Sequence, residues 1–316
     1  MKALVLGDRG PEFRSDLARP ERRGEALVRV RLAGVCATDL ELVKGYMGFR
    51  GVLGHEWVGS VEGCADPGLA GRRVVGDINC PCRACPECSA GRPTHCPNRT
   101  VLGILGRDGA FAEFLTLPEA NLHPIPDSVA DDAAVFVEPL AAACEILEQV
   151  HVRPSDRIAV LGLGRLGWLS AAVLAATGAE VSGVVRTPRP HPAPPPGVKS
   201  IDLGLAAALP RFDVVVDATG AAAGLEAATR LVRPRGVIVL KTTIHGATPL
   251  APTPWVIDET TVVGSRCGPF EPALRLLASG RVDPRPLIAG RYRLEAGIDA
   301  LRRAAEPAVL KVLIEP

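Results

Sequence analysis

Three groups of residues in this 316-residue chain have types and spacings that can do chemistry. The densest is CPCRACPECSAGRPTHC, residues 80–96, where five of the nine cysteines fall within seventeen positions. Clustered thiols in a reducing compartment read as metal ligands rather than disulfides. The second group is sparser: Cys36 in GVCATDLELVKG, with Asp39 three residues on, and the glycine-flanked His55–Glu56 pair of GVLGHEWVGSVEG. A catalytic zinc takes three protein ligands, commonly N, S and O, and leaves one position for water or substrate. Cys36 and His55 offer two of them. Glu138, an acid in the apolar run VFVEPLAAACEI where the sequence texture changes, is the best candidate for the third. Taken alone, Glu138 also fits a first-turn acid favoured by a helix dipole.

The third group is Gly162-Leu163-Gly164-Arg165-Leu166-Gly167, which follows an apolar run and opens an Ala/Leu-rich one. Its glycines permit a tight turn, close approach of backbone to a pyrophosphate, and close helix packing. The free N–H groups of the following helix then face the phosphates. The next apolar run ends GVVRTPR, with no acid for a ribose 2′-hydroxyl but with Arg186 and Arg189 around Thr187. A guanidinium pairs with phosphate bidentately, so the expected cofactor is NADP, with NAD second. A clear kinetic preference for NAD would overturn that expectation.

The elements that must position these groups fall into two textures. The first 125 residues hold short β-like runs (ALVRVRLAGV, WVGSVEG, RRVVGD, GAFAEFLTL) separated by Gly, Pro and Asp, which suits an irregular, mostly-β domain. From about residue 139, strands apolar throughout alternate with helical segments, the pattern of a parallel sheet covered on both faces. The fold class expected is therefore α/β, a doubly wound parallel sheet beside a mostly-β domain. One segment breaks the alternation: RTPRPHPAPPPGV, residues 186–198, has six prolines and cannot be the helix due there. A stiff, extended loop is expected instead.

Composition excludes several function classes. With 47% hydrophobic and 22% charged residues the chain can bury a full-sized core, and a net charge of +1 creates no global field for nucleic acid or an anionic membrane. A zinc-finger DNA binder would need a basic domain and a helix for the groove, and residues 83–99 offer three arginines without a helix signal. No stretch reaches the ~18 apolar residues of a spanning helix. The MKALVLGDRGPEF start lacks a secretory signal, so a cytoplasmic location is expected.

Taken together, these motifs resemble the zinc-dependent medium-chain dehydrogenases and reductases, the superfamily of alcohol, polyol, threonine and aldose dehydrogenases. The likeness runs nearly end to end: the MKAL start, Cys-x-Thr-Asp, GHE, the four-cysteine lobe, EPLA, GLGRLG, DATG and a closing VLKV strand. It implies a GroES-like catalytic domain over residues 1–138, with a zinc lobe at 80–97, completed by 267–316. A Rossmann domain at 139–266 would interrupt it. It implies Cys36, His55 and Glu138 as ligands of a catalytic zinc, and Cys82, Cys85, Cys88 and Cys96 as a closed structural zinc site. Cys80 stands outside that spacing. Glu56 would approach the metal during ligand exchange, Asp39 would orient His55, and Thr38 would bond the substrate oxygen and relay its proton. Glu41 stands where many members carry the outer relay histidine.

The cofactor would meet the 162–167 turn, Arg186, Thr187, Arg189 and Thr219 of DATG. The implied reaction interconverts a small-molecule alcohol and its carbonyl by hydride transfer, in a homodimer or homotetramer. The Glu-type third ligand and Glu41 lean toward polyhydroxy substrates. Tyr46, Met47 and Phe49 fit either an apolar wall of the substrate site or ordinary core. His245 and Cys267 follow late strands, where solvent exposure or packing accounts for them. A zinc-free, quinone reductase-like or non-catalytic relative would lack Cys36 or the GHE pair; both are present.

Overall fold

The computed structural model describes residues 1–186, 192–243 and 251–316. In chain order, the elements used below begin with β1 (Ala26–Gly34), α1 (Ala37–Val43), β2 (Glu56–Gly63), β3 (Arg73–Gly76), β4 (Phe114–Leu117) and β5 (Leu122–Pro124). Next come α2 (Val137–Gln149), β6 (Arg157–Leu161), α3 (Arg165–Ala175), β7 (Glu180–Val185), β8 (Lys199–Asp202) and α4 (Leu203–Ala208). They are followed by β9 (Phe212–Asp217), α5 (Ala223–Leu231), β10 (Val232–Leu240) and β11 (Thr261–Gly264). The chain closes with β12 (Ile288–Arg293) and β13 (Lys311–Glu315).

The chain divides into two compact units, Met1–Glu138 with Ala273–Pro316, and Pro139–Pro272. The first crossing falls in the first turn of α2, and the return comes at 272/273 rather than at 266/267 as read from the sequence.

The first unit is built on a seven-stranded sheet in the order β5–β3–β2–β1–β13–β12, with β4 also pairing β1. β1 reads ALVRVRLAG, and the alternation shows in its burial: Val28 and Val30 are buried while Arg29 and Arg31 are exposed. Val28, Val30, Trp57, Leu115, Val312 and Ile314 share one core with Leu42 of α1. The C-terminal β13 thus sits beside β1, pairing Leu313 with Gly34 and Ile314 with Ala33. Chain ends and N-terminal strands make one core.

The second unit is a six-stranded sheet ordered β8–β7–β6–β9–β10–β11, every neighbouring pair parallel. Successive residues of one strand serve opposite faces, as a period of two requires. Ile158 and Val160 of β6 pack with Ala171 and Leu174 of α3. Ala159 and Leu161 pack with Ala227, Ala228 and Leu231 of α5 on the other side. This explains why the strands are apolar throughout. The order reverses between β6 and β9, the switch point at whose C-terminal edge such sheets bind ligands. Among the described residues no helix joins β7 to β8; Pro192–Pro196 carry no regular structure, and Trp168 Nε1 of α3 donates to Ala193 O at 2.9 Å.

Candidate active site

Cys36 is the N-cap of α1, with extended backbone, and its N–H donates to Asp39 Oδ2 at 2.8 Å. The other Asp39 oxygen accepts from Gly54 N at 3.2 Å and lies 3.3 Å from His55 Nδ1, close enough for attraction though not aligned as a hydrogen bond. One fully buried carboxylate therefore fixes both Cys36 and the loop carrying His55. Gly54 turns that loop at φ +95°, and a Cβ there would overlap the Phe111 ring. Glu56 opens β2, buried beside His55. The outcome is a thiol, an imidazole nitrogen and a carboxylate oxygen all within 4.8 Å of one another, from Cys36, His55 and Glu56. Thr38, on the first turn of α1, accepts from the Cys36 thiol at 3.7 Å.

Glu138 stands outside that threefold grouping but within its field. Burial pushes its carboxyl up to about 7, Glu56 and Asp77 add to the rise, and His55 and Lys311 oppose it. For His55, burial alone would lower the imidazole's pKa; the charges on Asp39 and Cys36 outweigh it and hold the ring well above its usual range. A group of this kind exchanges its proton for a metal ion. Cys36, His55 and a neighbouring acid form a mixed S, N, O set, which suits zinc with an open position.

Sequence reading missed Lys311, whose ammonium pairs with Glu56 Oε2 and sits 5.1 Å from the Phe136 ring centre. The available signal was a lone lysine inside the apolar strand KVLIE. Glu41, by contrast, is half-exposed and accepts from Lys44 Nζ at 2.8 Å. Phe49 belongs to the core, Tyr46 packs against it partly buried, and Met47 is exposed, so these three do not form one wall.

The second group that could hold a metal is Cys82, Cys85, Cys88 and Cys96, again within 4.8 Å of one another. Sulfur separations are 3.5 Å for Cys82–Cys96 and Cys85–Cys88, and 3.7 Å for Cys85–Cys96. None of the nine cysteines forms a disulfide. Backbone amides, first that of Ala84, hold Cys82 down to about 6, while desolvation and the thiols of Cys85 and Cys96 push Cys88 up to about 11. Four crowded thiols that cannot all ionise alone are what a tetrahedral zinc would relieve. Cys80 is buried outside the group, its thiol pushed up to about 11 by burial.

In the second unit the three glycines divide the work. Gly162 turns the chain at φ +84°, with Thr219 Cα 3.1 Å from where its Cβ would lie. A Cβ on Gly167 would overlap the Gly162 carbonyl, while that of Gly164 would meet nothing within 4 Å. The open space lies at the N-terminus of α3, where Arg165 and Leu166 begin the helix and Leu163 packs against Gly183. Thr219, after β9, is held by Asp217, its Oγ1 donating to Oδ1 at 2.8 Å. Arg186, after β7, lines a cavity of about 370 Å³ with Asp202, Leu203, Ala227 and Arg230. Thr187, Arg189 and His245 lie outside the described residues. Cys267 accepts from its neighbour Arg266 Nη1 at 3.3 Å.

A mixed-donor metal group in a β unit and a glycine turn on a parallel sheet define an oxidoreductase of the nicotinamide-linked class. The alcohol dehydrogenase GroES-like domain family matches residues 22–127. A 2-dehydro-3-deoxy-L-galactonate 5-dehydrogenase of Pseudoalteromonas atlantica is 30% identical over 99% of this chain and 98% of its own. An L-galactonate-5-dehydrogenase of Escherichia coli K12 is 29% identical over 85% of this chain and 84% of its own. Among solved structures, one described as a zinc-binding dehydrogenase, from Sinorhizobium meliloti 1021 bound to NADP, superposes with a TM-score of 0.89 at 27% identity. It covers 100% of this chain and 99% of that one. The chain belongs to the zinc-type medium-chain dehydrogenases and reductases, enzymes that act on CH–OH groups with NAD(P). Among the described residues no helix is long and apolar enough to cross a membrane.

Proposed function

We propose that this protein is a zinc-dependent, NADP-preferring dehydrogenase of a secondary hydroxyl on a polyhydroxy substrate, a polyol, sugar or sugar acid. The observation that carries the reading is the gathering of Cys36, His55 and buried acids beside Thr38. Cys36 and His55 would hold the zinc with Glu138 as third ligand, while Glu56 is the neighbouring acid of ligand exchange. When bound, zinc supplies Lewis acidity that lowers the pKa of a substrate hydroxyl, and the nicotinamide supplies the hydride acceptor. Thr38 accepts the hydroxyl proton and passes it on. Asp39 keeps Cys36 and His55 in place throughout. The four-cysteine lobe would carry a second, structural zinc. Relatives named for galactonate derivatives support the polyhydroxy class; clustered cysteines without disulfides accord with a reducing cytoplasm, and the resemblance to the family is what suggests a homodimer or homotetramer.

Arg186 and Arg230 at one cavity support NADP. Asp202 lines the same cavity and favours the second reading, NAD, since a carboxylate accepts bonds from ribose hydroxyls. A panel of polyols, sugars, sugar acids, and simple and aromatic alcohols, each with NADP and NAD, tests both points. Turnover of polyhydroxy compounds with higher kcat/KM on NADP is expected. Turnover confined to simple alcohols, or a clear NAD preference, would reject the corresponding part.

A further inference from the structure

Asp217 ends β9 with only 1% of its surface exposed, yet Thr219 and Gly220 just after it lie at the surface. A buried carboxylate must be hydrogen-bonded, and this one holds the exposed loop. Its Oδ1 accepts from Thr219 N at 3.0 Å, from Thr219 Oγ1 at 2.8 Å and from Thr242 Oγ1 at 3.1 Å. Thr242, just past the end of β10, in turn accepts from Gly220 N at 3.1 Å. One hydroxyl so joins the segments that follow two neighbouring strands. Room is kept for this network in the first turn of α5, where a Cβ on Gly224 would lie 2.4 Å from Asp217 Oδ1 and 2.2 Å from Thr219 Oγ1.

The held loop stands against the glycine turn. Thr219 Cα is 3.1 Å, and Ala218 O 3.2 Å, from where a Gly162 Cβ would lie. Loop and turn flank the switch between β6 and β9, where sheets of this kind bind ligands. The Thr219 hydroxyl is occupied within the loop, its proton going to Asp217 and its oxygen accepting from Ala221 N at 3.2 Å.

We propose that Asp217 and Thr242 are positioning residues that hold loop 218–220 as a fixed wall of the dinucleotide crevice, the Thr219 hydroxyl being spent on that lock rather than on the cofactor. The inference rests on the cofactor reading above. A wall set before binding spares the ligand the cost of ordering it. The lock lies on the β9 side of the switch and Arg186 follows β7 on the other, so the lock serves NADP and NAD alike.

Fluorescence titrations of the full chain with NADPH and with NADH test this. Thr242→Val removes the hydroxyl and should raise both Kd values by the same factor, about tenfold, the scale of one hydrogen bond to a charged group. Thr242→Ser should restore both. Wild-type affinities in Thr242→Val, even with a lowered melting temperature, would overturn the inference, as would weakening confined to NADPH or left unrestored by serine. Should Thr242→Val not fold, Thr219→Val with and without Thr242→Ala carries the test. Because both hydroxyls act through Asp217, the double variant should bind about as weakly as the weaker single one, and losses that multiply would overturn the inference. A wild-type chain that binds neither cofactor would instead overturn the cofactor reading beneath it.

Discussion

Around the His55 imidazole the first unit gathers three carboxylates, Asp39, Glu56 and Glu138, against one buried ammonium, Lys311. Each acid has a different occupation. Asp39 is tied to the backbone and Glu56 to Lys311, while the charge of Glu138 is opposed chiefly by burial. That difference gives a pH signature in the metal-free protein. The Glu138 carboxyl is raised from 4.5 to about 7, so between those values the folded chain holds a proton that the unfolded chain has released. Stability must then fall as pH rises through that window. Urea denaturation of metal-free protein should show this slope, and Glu138→Gln should flatten it. A wild-type curve rising with pH across the window, and unaltered in Glu138→Gln, would contradict the assignment.

Each functional group is set by one element ending. Cys36 and Thr38 start α1, and Glu138 lies in the first turn of α2. The glycine turn at 162–167 is the junction of β6 and α3. Because the Gly164 position is open and its φ is −74°, alanine there fits the fold but fills the space a pyrophosphate would approach. Gly164→Ala should leave the melting temperature unchanged and weaken NADPH binding roughly tenfold, about 1.4 kcal/mol, in a fluorescence titration. Equal affinity would show that the turn does not meet the cofactor. The lobe obeys a different rule, since its binding energy is folding energy. Cys96→Ser should therefore lower the melting temperature and remove about one zinc per chain, and unchanged metal content would refute that.

The motifs legible in the sequence are those whose parts lie within a few residues of one another, such as GLGRLG or the cysteine spacing. The described part of the proline run, Pro192–Pro196, is without a helix as proline locally requires, while residues 187–191 lie outside the described residues. Lys311 was not legible, because its partner is brought up only by the pairing of β13 with β1. Phe49 shows the converse: an aromatic near the site in sequence that spends its surface on the core.

At the scale of the whole chain, one compact unit built on a mostly antiparallel sheet is interrupted in sequence by a parallel-sheet unit and includes β13. The net charge of +1 leaves substrate choice to local groups rather than to a global field. The return of β13 to β1 brings Lys311 to Glu56, so the GHE loop and the last strand meet in one buried ion pair. What the whole arrangement claims is a catalytic zinc held by Cys36, separate from the zinc of the lobe. Metal analysis paired with turnover of Cys36→Ser measures this most directly. Zinc should fall from about two to about one per chain, NADP reduction on the polyhydroxy panel should be lost, and the melting temperature should stay close to wild type. Normal turnover in Cys36→Ser, or an undiminished zinc content, would contradict it.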